Sequence, residues 1–84
     1  MNEYATELGE VLKTFNVTKM RLFILDHIDM YRKVDFINLT DDRFVKGMMA
    51  KMILARTDMP EDLKAKARNV LDRMGWDYEI IAHN

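Results

Sequence analysis

The stretch Thr40–Gly75, TDDRFVKGMMAKMILARTDMPEDLKAKARNVLDRMG, decides the fold class. Thr40-Asp41-Asp42 reads as a helix start: a capping hydroxyl followed by two carboxylates at the positive end of a helix dipole. Phe44, Val45, Met48, Met49, Met52 and Ile53 then recur at three- and four-residue steps, which predicts a helix near 41–56 with one apolar face. Thr57-Asp58-Met59-Pro60-Glu61-Asp62 repeats the same logic, with proline at the first helical position. Leu63, Ala67, Val70, Leu71 and Met74 stripe a helix near 60–74, and Gly75 stands where glycine usually ends one.

Toward the N-terminus, Tyr4, Ala5, Leu8, Val11, Leu12 and Phe15 give an apolar face to a helix near 2–15. Asn2 is its expected cap, and Glu3, Glu7 and Glu10 form a solvated stripe on the other side. Asn16-Val17 breaks this helix, and Thr18 is expected to cap the next, near 19–32. That second helix carries Met20, Leu22, Phe23, Ile24, Leu25, Ile28, Met30 and Tyr31 over most of its circumference, the pattern of a central, buried helix. Asp26, Asp29 and Arg32 would mark its narrow wet side, with Asp29 and Lys33 as a four-step ion pair. Lys33–Leu39 fits a strand or a single helical turn equally well. Beyond Gly75, Trp76, Tyr78 and Ile80 alternate as in a strand or an extended tail over 76–84. The expected architecture is mainly α and a single domain over 1–84. Four helices form a compact bundle or orthogonal array, with a C-terminal β-strand or extended tail.

With 84 residues, a net charge of −1 and no cysteine, the chain has no room for a second domain, no disulfide framework and no thiolate chemistry. The N-terminus lacks the basic and apolar regions of a signal peptide. The longest apolar run, Leu22-Phe23-Ile24-Leu25, is far short of a membrane span. A cytoplasmic location without membrane contact is the expectation. His27 and His83 belong to no metal-ligand spacing, serine is absent, and the three glycines are dispersed. No catalytic, cofactor-binding or metal-binding residue is therefore expected, and the chain reads as a non-enzyme.

Charge is unevenly distributed. Residues 1–42 hold five basic and eight acidic side chains, a balance of −3, while residues 43–73 hold eight basic and four acidic, a balance of +4. Arg43, Lys46, Lys64 and Arg68 head the basic set, and Lys64 and Arg68 share a face at a four-residue step. One reading is a dimeric, helix-turn-helix-like nucleic-acid binder that presents the two basic helices to phosphates. The plainer reading is that acidic and basic helices offset one another, since the cations lie on several faces.

Two features point to contact with protein. Met48, Met49 and Met52 cluster in a chain with eight methionines, and thioethers suit both irregular cores and adaptable surfaces. Gly47 and Ala50 beside them mark a close approach, within one chain or between two. Trp76, Tyr78 and Ile80 form an aromatic–aliphatic set of the kind that anchors interfaces. It could equally fold back to close the small core. Trp76, Tyr78, Ile80, Met48 and Met52 are the candidate partner-binding residues. The leading expectation is a small regulatory, inhibitor or adaptor protein acting on a protein partner by occlusion, as phages and mobile elements often encode. A homodimer is expected because so short a chain carries more patterned apolar surface than one small core hides.

Overall fold

The structure, a computed structural model, describes residues 3–31 and 36–76. Helix α1 spans Glu3–Thr14, α2 Val17–Asp26, α3 Phe36–Leu39, α4 Asp42–Ala55 and α5 Glu61–Met74, with a 3₁₀ turn at Ile28–Tyr31 between α2 and α3. The mainly α architecture is as expected, and its four long helices are those read from the periodicity. The molecule measures 30 × 29 × 27 Å. Fourteen-residue helices are about 21 Å long, so near-equal dimensions describe helices stacked around one another rather than an elongated bundle.

The capping residues differ from those expected, each by a step or two. Phe15 closes α1 in a left-handed conformation (φ 48°), and Asn16 then caps α2 by accepting a hydrogen bond from the Lys19 amide at 3.0 Å. The cap is thus Asn16, not Thr18, because the left-handed residue turns the chain early enough for Val17 to be helical. Asp41, not Thr40, occupies the cap of α4 and accepts from the Arg43 amide at 2.9 Å. Pro60 stands at the cap of α5 rather than its first helical position. Its carbonyl accepts the Lys64 amide, and Glu61 and Asp62 fill the first turn.

The second helix is shorter than expected. It ends at Asp26, where the His27 amide reaches back to the Phe23 and Ile24 carbonyls, and the chain tightens into the 3₁₀ turn. Tyr31 is buried there, and its hydroxyl meets that of Tyr4 at 2.6 Å. The ambiguous 33–39 segment is helical over Phe36–Leu39, where Leu39 is buried. Asn2, Arg32, Lys33 and the tail after Trp76 lie outside the described residues, so the Asn2 cap, the Asp29–Lys33 pair and the C-terminal strand do too.

The larger correction concerns which helix is central. It is α4, not α2. From Phe44 to Leu54 every residue of α4 except Lys46 is buried or half-buried, and α1, α2, α3 and α5 all pack against it. Val45, Met49, Ala50 and Ile53 are fully buried and meet Leu12 of α1, Met20, Phe23 and Ile24 of α2, and Ala67 and Leu71 of α5 in one core. Fully burying a side chain of this size stabilises by roughly 1.5–3 kcal/mol. No polar or charged side chain among the described residues is buried, so apolar burial carries this core.

Candidate protein-binding surface

Among the described residues, three large apolar side chains stand in solvent: Leu22 (57% exposed), Leu25 (42%) and Met30 (60%). Their exposure follows from the sequence of α2. Met20, Phe23, Ile24 and His27, at steps of three and four, make one face, and Met20, Phe23 and Ile24 are buried. Leu22 and Leu25 project from the opposite face, which they share with Thr18, Lys19 and Asp26, all exposed. Burying that face would take Asp26 out of water without a partner, a cost of several kcal/mol. The charged neighbours therefore hold two leucines at the surface. Sequence reading missed this because it took apolar surplus as a sign of centrality. The usable signal was that Leu22 and Leu25 lie on the same side as Asp26.

The edge of α2 near α4 is fixed. Arg21 donates through Nε to the Leu39 carbonyl at 2.6 Å, and its guanidinium also pairs with Asp42. One side chain thus ties α2 to the end of α3 and the start of α4. Beneath α2, Tyr4, Phe23 and His27 form an aromatic cluster, with the His27 and Phe23 rings 4.2 Å apart. His27 donates through Nδ1 to the Phe23 carbonyl at 2.9 Å, so this histidine is engaged in packing. Burial and the Tyr4 hydrogen bond push the Tyr31 phenol well above its ordinary range.

The candidate partner-binding residues sit elsewhere. Gly75 adopts the left-handed conformation (φ 74°) that closes α5, and the Trp76 amide reaches the Leu71 carbonyl at 3.0 Å. That reversal drops the Trp76 ring onto α4. It lies edge-on to Phe44 at 5.9 Å, under the Lys51 ammonium at 5.7 Å, and directly over Gly47. A Cβ at Gly47 would fall 2.7 Å from Cη2 and 2.8 Å from Cε3 of the ring. The close approach marked by Gly47 is therefore made within one chain, by a ring rather than a helix. Trp76 is half-buried, and Met48 and Met52 are half-buried against the core. Tyr78 and Ile80 lie outside the described residues.

The cations are dispersed. α4 and α5 form an antiparallel hairpin, since a five-residue turn joins them and Trp76, after α5, packs on the first half of α4. Arg43 and Lys46 accordingly lie at one end of the hairpin and Lys64 near the other, with Arg68 between. Arg43, Lys46 and Arg68 are exposed and Lys64 half-buried. The outer face of α5 mixes signs: Lys66, Arg68 and Arg73 share it with Glu61, Asp62 and Asp72, all exposed.

Other cations have partners inside the chain. Lys66 stands over the Phe15 ring at 5.1 Å. Arg56 packs across buried Gly9 and grips Asp58 through Nε and Nη2 at 2.9 and 2.8 Å. The Asp58 hydrogen bonds hold the Arg56 guanidinium protonated even more firmly than usual, and those of Arg56 hold the Asp58 carboxyl below its ordinary value. The open hollow lined by Ala5, Ala55, Arg56, Thr57 and Asp58 is thus neutralised from within.

Among the described residues, no three His, Asp or Glu side chains are grouped to hold a metal ion, and no helix is long and apolar enough to cross a membrane. Compared with known family models, curated proteins and solved structures, the chain shows no match.

Proposed function

We propose that this chain is a small non-enzymatic regulatory or adaptor protein that acts by covering a surface of a protein partner. The observation that supports this reading is the outward face of α2, where Leu22 and Leu25 stand exposed beside an otherwise well-closed core, with Met30 exposed in the 3₁₀ turn that follows. Apolar contact surrounded by charge is the composition of a protein-binding patch: leucine and methionine supply desolvation, while Lys19, Asp26 and Asp29 at the rim supply register and selectivity. Trp76 serves as the structural anchor from which Tyr78 and Ile80 follow as further contact residues.

Nucleic-acid binding through Arg43, Lys46, Lys64 and Arg68 is the competing reading, and their dispersal over the hairpin lends it less support. Affinity capture from lysate at about 50 and 200 mM salt separates the two. Protein partners retained at the higher salt by the wild type, and lost with Leu22→Glu/Leu25→Lys, support the proposal. Retention of nucleic acid alone, or of the same proteins by the variant, overturns it.

A further inference from the structure

The strip that exposes Leu22 and Leu25 is self-complementary in charge. Lys19 lies at its N-terminal end and Asp26 at its C-terminal end, both exposed and seven residues apart. Seven residues are nearly two full turns, about 10.5 Å of rise, so the two side chains flank the same edge of the strip with Leu22 between them. In an antiparallel helix pair related by a two-fold axis, residues on one edge face residues on the same edge of the copy. An axis near Leu22 therefore sets Lys19 of each protomer against Asp26 of its partner, twice over. A parallel pair would instead set this edge against the opposite edge of the copy and leave Lys19 and Asp26 unable to reach each other.

We infer that the occupant of this face is a second copy of the same chain, docked by antiparallel pairing of α2 with α2. The inference rests on the reading of this face as protein-binding and names its partner. Leu22 meets its own copy near the axis, and Leu25 and Met30 extend the contact along and beyond the helix. Arg21 does not compete for the carboxylates, because it is committed to Leu39 and Asp42. One ten-residue helix per protomer offers less area than the roughly 1,200 Å² of a standard stable interface, so the dimer is a weak, reversible one.

Sedimentation equilibrium on the purified full chain, from about 10 μM to 1 mM, tests this. The wild type is expected to pass from monomer to dimer across that range. Lys19→Glu and Asp26→Lys should each weaken dimerisation by about tenfold, since each converts two attractions into two repulsions. An equimolar mixture of the two variants, and the double variant Lys19→Glu/Asp26→Lys, should restore it. A wild type monomeric at 1 mM, a dimer indifferent to both single substitutions, or weakening that neither the mixture nor the double variant repairs would each overturn the inference. The lysate capture stands apart from this result. Purified chain that remains monomeric while Leu22 still governs partner capture rejects self-pairing alone, and a charge-swappable dimer that captures nothing rejects the regulatory reading alone.

Discussion

α2 and α4 are both strongly apolar helices, yet they have opposite fates. In α4 the residues that face neither core nor solvent squarely are small or flexible: Gly47 admits the Trp76 ring, Met48 and Met52 bend to fit, and Lys51 lays its ammonium over the indole. Neighbouring elements can close on it from nearly every side. In α2 the second apolar stripe is interrupted by Lys19 and Asp26, and among the described residues no element covers it. The difference teaches that total hydrophobicity does not place a helix in the centre. What the apolar residues share their face with does.

The comparison is tested most severely by truncating one side chain from each helix. Ile53→Ala in α4 removes a fully buried side chain at the meeting of several helices and should cost about 3–4 kcal/mol in urea unfolding. Leu22→Ala should stay within about 0.5 kcal/mol at concentrations where the chain is monomeric. Equal costs at the two positions would mean that α2 is buried on both faces and would remove the basis for the proposed binding surface.

A smaller effect tests how α4 is closed. Trp76→Ala should destabilise by about 2–3 kcal/mol, at or below the usual range for a fully buried aromatic because the ring is half-exposed. Gly47→Ala should cost about 1–2 kcal/mol in the wild type, because the new methyl displaces the indole. In the Trp76→Ala background the sign should reverse. With no ring above it, alanine at position 47 stabilises by up to about 1 kcal/mol through helix propensity alone. Additive costs in this cycle would show that the indole is not what Gly47 accommodates. The same geometry places the boundary of any tail deletion: removal from Asp77 onward leaves the anchor in place, whereas removal from Trp76 damages the core.

Much of this was legible in the sequence. The helical periods over 3–14, 42–55 and 61–74 are long, each has one dominant face, and terminating residues such as Gly75 sit where backbone geometry requires them. The caps were misplaced by one or two positions because Asn16, Thr18, Thr40 and Asp41 all carry suitable oxygens. The choice between neighbours is made by tertiary turns such as the left-handed Phe15. The wet side of α2 that Asp26 marks in the sequence is wider than the narrow strip expected, because Leu22 and Leu25 share that side and stay in solvent with it. The engagement of Trp76 by Gly47 was half visible: glycine announced a close approach, and only the reversal at Gly75 says which group makes it. Nothing in the spacing of Arg56, Lys66 or Lys51 foretold that each is taken up by Asp58, Phe15 or Trp76, since these partners come from turns and from other helices.

A further predicted effect lies under α2, where the Tyr4 and Tyr31 hydroxyls pair at 2.6 Å. At neutral pH Tyr31→Phe should cost about 1 kcal/mol, the usual worth of one such hydrogen bond. The cost should then depend on pH with a definite sign. Burial and the Tyr4 hydrogen bond raise the folded-state phenol above its unfolded value, so the folded protein resists losing that proton. The stabilisation is fully present below about pH 10, where the unfolded phenol is still protonated, and declines as pH rises and the unfolded state alone ionises. Groups away from the Tyr4–Tyr31 pair contribute alike to wild type and variant, so the difference between their urea-unfolding curves isolates the pair. The deficit of Tyr31→Phe should shrink above pH 10 and vanish near pH 11, at about 1.4 kcal/mol per unit. A deficit that is constant from pH 7 to 11 would mean that Tyr31 ionises as freely in the folded chain as in the unfolded one, and that α2 and its following turn do not seal the aromatic cluster beneath them.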